Sequence, residues 1–503
     1  MAKILEGGRL QKRRDDVLKF TSSINDDARL LNAILDINKA HTVMLIEQGI
    51  VNASSGKKIL EALNKLEHMQ LSSTAEDVHM AVEEAVIENV GIDVGGSLHV
   101  AKSRNDQVAT AIRMVLREQM LDLMLTLTQL QDSLLNQAEA HASKIILEYT
   151  HLQPAQPVTF GHYLLSHVEA FNRDIARLRD AYERINTCPL GACALATTSF
   201  PINRDRTATL LGFARAMGNS IDAVGSRDFI LEVVAAVTFI AINLSRFAED
   251  LIIWSTPDFN VIELPDEFAS TSSIMPQKKN PEVLEVIRAR AGHVLGNFAS
   301  VTAIMKGLPS TYNLDFQEIT PKLWDSIERV KASLQMCMLL VPNVKIKDGV
   351  SEKASRSFVA ATELANMLVR KYSLPFRTAH RVVGALVKDL VDSKKTLQDV
   401  TPQLLQEIAR DYAGVVISVT LEDIASAIDI HRIVESYNVK GGPAPAEVQS
   451  AVRAWRNIIA QTKTGINQLE EKLKESRKNL EASVKTHIKA HECENRRLKK
   501  LNP

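Results

Sequence analysis

From Val108 to about Tyr149 the chain runs without a proline or a glycine, and its apolar residues return at helical spacing. Ile112, Val115, Leu116, Leu123, Leu127, Leu130 and Leu134 recur three, four and seven residues apart, which lines one face of an α-helix. At 1.5 Å per residue, about forty residues make a rod of roughly 60 Å, longer than a compact domain needs. Such a rod buries its apolar stripe against others of its kind, in a bundle that often includes helices of other subunits. Two further apolar-periodic runs, about 222–254 and 283–306, give the middle of the chain the look of a long-helix bundle. The expected fold is all-α, in three helical domains. Residues 1–101 form the first, 102–353 the central bundle and 354–449 the third, followed by an amphipathic or coiled-coil tail over 450–503.

The composition agrees with this and removes several classes of function. Only 5% of residues are aromatic while 45% are hydrophobic, a balance that suits a helical protein better than a β-sandwich. Sixty basic residues match sixty acidic ones, so no global field draws the chain to nucleic acid or to an anionic membrane. Cys188, Cys193, Cys337 and Cys493 form no CxxC pair and read as reduced, mostly buried thiols. No apolar run is expected to reach transmembrane length, and the start M-A-K-I-L-E-G-G-R lacks a secretory core. A cytoplasmic protein is expected. No Walker or Rossmann loop, zinc spacing or internal repeat is found.

Between the apolar runs lie polar clusters that no helix face can bury. The sharpest is S-T-S-S-I-M-P-Q-K-K-N-P at 270–281, with hydroxyls, two ammonium groups and two amides between prolines that exclude a helix. That mixture suits a substrate carrying carboxylates, although composition alone favours a solvated basic turn. S-R-N-D-Q at 103–107 offers five polar side chains in succession, among them Arg104 for a bidentate grip on a carboxylate and Asn105 as an amide donor. T-H-L-Q-P-A-Q-P at 150–157 is expected to stop the long helix with two prolines and hold Thr150 and His151 in a rigid turn. E-D-V-H at 76–79 begins a helix that Gly91 ends, and a lone His79 there is usually structural.

Taken together, these clusters resemble the signature segments of the fumarase/aspartase superfamily, in its argininosuccinate lyase branch. The Q-K-K-N of the 270–281 loop is similar to that branch, whereas fumarases have Gly-Lys-Val-Asn and adenylosuccinate lyases usually His-Lys-Arg-Asn. S-R-N-D-Q resembles a family motif residue for residue, with Lys102 where the flanking pattern has Arg. F-T-S-S-I-N-D-D at 20–27, T-H-L-Q, the 188–205 stretch, S-R-D-F at 226–229, G-L-P-S-T-Y-N-L-D-F-Q-E at 307–318 and G-G-P-A-P at 441–445 follow in the family's order. The resemblance covers roughly residues 1–449. Thr271 stands where the family has Gly, and Thr320 where it usually has a Lys three residues after the Gln. Lys322 takes over that role, or the contact is missing.

The resemblance implies a reversible β-elimination of argininosuccinate to arginine and fumarate, without metal or organic cofactor. It implies a homotetramer around a helical core, with sites shared between subunits, and no nucleic-acid or membrane partner. Ser272 is implied as the base, with the adjacent Ser273 left open, and Lys278 and Asn280 surround the doubly charged aci-carboxylate. His151 is implied as proton donor to the leaving nitrogen, held by Glu285, and Thr150 as a carboxylate contact. Ser23, Asp27, His79, Ser103, Arg104 and Asn105 are implied substrate contacts, and Tyr312 and Gln317 hold the arginine half. Two other readings stay open at this point: another superfamily lyase such as adenylosuccinate lyase, and an inactive structural homologue.

Overall fold

A computed structural model describes residues 13–71 and 76–501, the stretch 490–501 by its backbone alone. Cys493 and the basic end of the tail therefore lie outside the described side chains. In chain order the main elements are α1 (Leu31–Glu47), α2 (Ala53–Lys65), α3 (Val78–Val90) and α4 (Arg104–Ala140). A hairpin of β1 (Ile145–Thr150) and β2 (Gln153–Thr159) leads into α5 (Phe160–Ile185) and α6 (Asp228–Ser255). The two-residue strands β3 (Ser270–Thr271) and β4 (Lys279–Asn280) precede α7 (Glu282–Met305) and α8 (Phe316–Leu340). Then come α9 (Ala361–Tyr372), α10 (Phe376–Asp392), α11 (Pro402–Ala413), α12 (Leu421–Ile428) and α13 (Pro445–Leu501). Among the described residues, every sheet has two strands, so the all-α expectation holds.

The central bundle is α4 to α8. Ser103 and Asp106 cap the start of α4 reciprocally, satisfying donors that a helix start otherwise leaves open. Its predicted stripe is buried: Leu116, Leu123, Leu127, Leu130 and Leu134 are all 0% exposed. Each such side chain contributes roughly 1.5–3 kcal/mol of apolar burial against α5, α8 and α13. On another face, Arg113 and Arg117 are buried with their guanidinium groups 3.9 Å from the rings of Phe229 and Phe213. Arg113 donates to Arg184 O at the end of α5, and Arg117 to Leu211 O and Gly212 O. Cations at carbonyl-bearing helix ends are favourable, and here they pin the 188–212 segment to α4.

Two expectations need correction. The long helix ends at Ala140 and not near Tyr149, because Ile145, Ile146 and Leu147 pair with Thr159, Val158 and Pro157 of β2. β-branched residues with a partner strand favour the extended form, and the two prolines sit within β2 and do not terminate a helix. Second, α6 is long and apolar enough by composition to cross a membrane. It packs instead against α5, α7 and α8, with Phe229, Val233, Val237, Leu244, Phe247 and Leu251 buried. The described part of the tail is one helix, α13, packed on its own chain. α13 lies along α4 and reaches α1 and α2, burying Val452, Ile459, Ile466, Leu480 and Val484. Its charges pair with the same helices: Arg456 with Glu139 at 2.7 Å, Lys463 with Asp132, and Arg477 with Glu118 at 3.1 Å.

Residues of α9 to α12 and their flanks form a hydrophobic cluster of their own, including Leu364, Leu368, Leu386, Leu405 and Ile424. The helices α1 to α3 share one cluster with the long helices and with α13.

Candidate active site

One cavity of about 460 Å³ lies where the chain segments 21–27, 76–83, 103–112 and 312–320 meet. That is the size of a small-molecule site. Its wall includes Ser23, Asp27, Ser103, Arg104, Asn105, Tyr312 and Gln317, seven of the residues singled out from sequence. Several have a local reason for their place. The cap at Ser103 fixes the first turn of α4, so Arg104 and Asn105 project from a rigid helix end. Asn105 Nδ2 donates to Ala194 O at 3.1 Å, and Gln317 Nε2 to Thr21 O at 3.2 Å. A Cβ on Gly225 would lie 2.8 Å from Thr311 N, so glycine there lets the 307–317 segment pass close by.

Asp106, the next residue of the polar run, is fully buried behind this wall. Its carboxylate accepts from the backbone amides of Ser103 at 3.0 Å, Gly191 at 2.9 Å and Cys193 at 2.8 Å. It ties the start of α4 to the 188–198 loop, and burial raises its pKa to about 6 against the pull of those amides. Lys102 is also buried, its ammonium hydrogen-bonded to Asn38, and burial lowers its pKa to about 7.

The cavity is rich in acid groups. Asp26, Asp27, Glu76, Asp77 and Glu83 all line it. Arg104 answers two of them, 2.9 Å from Asp77 and 3.7 Å from Glu76, and His99 lies 3.2 Å from Glu83. Among the described residues Asp27 has no such partner. Burial pushes its pKa up to about 6, while a hydrogen bond from the Ser23 hydroxyl pulls it down and Asp77 adds to the rise. His79 is buried in α3 beside this wall with neither ring nitrogen partnered, and burial lowers its pKa to about 4. Sequence reading missed Asp26, Glu76, Asp77, Glu83, His99 and Arg227 as wall residues. E-D-V-H and S-R-D-F contained three of them, but only His79 was taken from the first motif.

The other predicted residues do not reach this cavity within one chain. Thr150 and His151 sit at the tip of the β1–β2 hairpin, where Thr150 pairs with Gln153 and the turn is His151–Leu152. Both turn residues have positive φ, 55° and 57°, the geometry of a tight two-residue hairpin turn that usually takes Asn-Gly. A non-glycine pair there is strained, a feature that clusters at functional sites. His151 is exposed, as is Glu285 on the first turn of α7, and no bond joins them within the chain. Ser272, Lys278 and Asn280 belong to a second, exposed hairpin in which Ser270 pairs with Asn280 and Thr271 with Lys279. The Ser272 hydroxyl accepts from Met275 N at 3.1 Å, and Lys279 pairs with Asp266 at 2.5 Å, which among the described residues leaves Lys278 as the loop's uncommitted ammonium. Lys322 is not in the cavity wall. Gln317 and Thr320 are three residues apart on one face of α8, and a residue two further on points away.

Comparison with known proteins extends over nearly the whole chain. Residues 8–296 match the family described as Lyase, and 358–435 the one described as Argininosuccinate lyase C-terminal. A protein of Methanocaldococcus jannaschii named argininosuccinate lyase is 43% identical over 463 residues, 91% of this chain and 94% of its own. Its namesake in Methanosarcina barkeri is 41% identical over 498 residues, 97% of this chain and 100% of its own. That match runs well past residue 449, so the tail is shared with relatives and is no appendage. Among solved structures, an EDDS lyase in complex with formate superposes with a TM-score of 0.87 at 30% identity, covering 95% of this chain and 96% of that one. A class II fumarase from Schistosoma mansoni, at 16% identity and a TM-score of 0.69 over 82% of this chain and 91% of its own, shares the fold.

Proposed function

The chain belongs to the argininosuccinate lyase family of the fumarase/aspartase superfamily, and from that premise we propose how its residues divide the work. Its reaction is the reversible β-elimination of argininosuccinate to L-arginine and fumarate, a step of arginine biosynthesis. A proton leaves the carbon next to a succinyl carboxylate, the C–N bond to the guanidino nitrogen breaks, and a double bond forms between the two carbons. Ser272 takes the proton. A serine hydroxyl is a poor base, so Lys278 and the loop amides must lower the cost of its alkoxide while water is excluded. Lys278 and Asn280 meet the charge that builds on the aci-carboxylate, and Thr150 holds a carboxylate of the succinyl half. His151, oriented by Glu285 of another subunit, returns a proton to the leaving nitrogen.

The cavity receives the arginine half. Its carboxylate-rich wall, with Asp27 unpaired, suits a cationic group, and Tyr312 and Gln317 border it. The observation that carries this reading is the separation itself. One chain supplies a cavity with recognition residues, and presents its base and its imidazole on two exposed hairpins elsewhere. A homotetramer in which each site draws on three subunits reconciles the two. The surface of α7 supports this: of its 24 residues only Leu284, Ile287, Val294 and Val301 are buried, while Val286 and Leu295 are about half exposed. Such an apolar face in the central bundle calls for a partner helix. The buried free thiols of Cys188, Cys193 and Cys337 fit a reducing cytoplasm.

Purified protein incubated with argininosuccinate, and separately with adenylosuccinate, is followed by the ultraviolet absorbance of fumarate. Fumarate from argininosuccinate alone is the expected result. Fumarate from adenylosuccinate, or from neither with a folded oligomer, overturns the reading.

A further inference from the structure

Arg227 is 1% exposed and lines the same cavity, yet none of the roles above uses it. Its Nη1 donates to Val224 O at 3.1 Å and to Ser226 O at 2.8 Å, while Nε and Nη2 have no partner. The guanidinium lies 4.8 Å from the centre of the Phe316 ring, which covers one face. A buried guanidinium with two empty donors is costly unless something supplies the counter-charge. Among the described residues no carboxylate pairs with it, although five line the cavity. Arg104 answers Asp77 and Glu76, and His99 answers Glu83, so Arg227 is the wall's cation without an anion.

Its surroundings say which anion is missing. Phe316 leads by one helical turn to Thr320, whose hydroxyl bonds back to Phe316 O at 3.2 Å and which also lines the cavity. Thr320 is neutral where the family pattern usually carries a lysine, and Lys322 stays outside the wall. The positive charge on this side of the cavity is therefore Arg227. Tyr312 and Gln317 border the same wall. We infer that Arg227 is the counter-ion for the α-carboxylate of the substrate's arginine half. This rests on the proposed function for the identity of the substrate. In a low-dielectric wall the charge acts at a distance that water would screen, so the carboxylate gains from it whether or not the Phe316 ring swings aside.

Because Arg227 also bonds two main-chain carbonyls, its removal alone does not distinguish binding from scaffolding. The test uses the full-length oligomer and three variants: Arg227→Met, Arg227→Lys, and Arg227→Met combined with Thr320→Lys. Calorimetric titration with L-arginine and with fumarate is read beside KM and kcat for argininosuccinate. The expected result for Arg227→Met is a loss of about 10–100-fold in arginine affinity and a like rise in KM, with fumarate affinity unchanged. Arg227→Lys loses less, and adding Lys at 320 restores at least part of the arginine affinity by returning a cation to the same wall. Arginine affinity unchanged in Arg227→Met overturns the inference. So does a joint loss of arginine and fumarate binding that Thr320→Lys does not repair, since that is the mark of a scaffold. A wild-type protein that binds arginine through Arg227 but makes no fumarate overturns the proposed function and leaves this inference standing.

Discussion

Asp27 allows a prediction whose size follows from its environment. The residue is 9% exposed, and burial lifts its carboxyl pKa from 3.8 to about 6. A cationic group of the arginine half binds only the ionised form. With a pKa of about 6, that form is about 90% populated at pH 7 and about 10% at pH 5, so arginine affinity should fall about ninefold between them. At pH 6, where half the sites carry a proton, a cation that pulls the pKa back to its ordinary range expels about half a proton per site. Calorimetry in buffers of differing ionisation enthalpy reads that release directly. Stability moves the other way. Between about pH 4 and 6 the folded protein holds this proton more tightly than the unfolded chain, so the group favours folding at low pH and loses that advantage as pH rises through 6. Asp27→Asn removes the buried charge and should stabilise the unliganded protein at pH 7 by about 2–3 kcal/mol, while weakening arginine binding and flattening its pH dependence. An affinity that stays level from pH 7 to 5 in the wild type, with no proton released at pH 6, would refute the reasoning.

Other expectations are more local. Ser272→Ala should abolish fumarate release while gel filtration shows an unchanged oligomer; near-normal turnover removes Ser272 as the base and leaves Ser273. Asp106→Ala strands the amides of Ser103, Gly191 and Cys193, at roughly 1–3 kcal/mol for each buried donor. It should lower the thermal midpoint and raise KM, because Arg104 and Asn105 lose their seat; an unchanged midpoint counts against that role. Ile459→Ala in α13, at a site 1% exposed, should cost about 2–5 kcal/mol in denaturant unfolding. A cost near zero would mean that the tail does not brace α4 in solution.

The long helices were legible because their signal is local. The stripe from Ile112 to Leu134 and the stop at Gly91 each depend on residues within a few positions. The end of α4 was not legible. Ile145–Ile146–Leu147 suits a helix or a strand alike, and the choice was made by β2, which supplies hydrogen bonds that a lone segment cannot find. The same distinction runs through the site. Hydroxyls, ammonium groups and amides crowded between prolines marked the 270–281 loop, since chemistry that cannot be buried shows in composition. The membership of the cavity was decided in three dimensions. Segments as far apart as 21–27 and 312–320 share one wall, the turn of α8 admits Thr320 and excludes Lys322, and burial alone turns Asp27 into a group that titrates near 6. In the sequence Arg227 was one residue of the S-R-D-F segment. It became a charge in need of a partner only when packing removed water from its guanidinium, because the cost of a buried ion belongs to its surroundings and not to the residue.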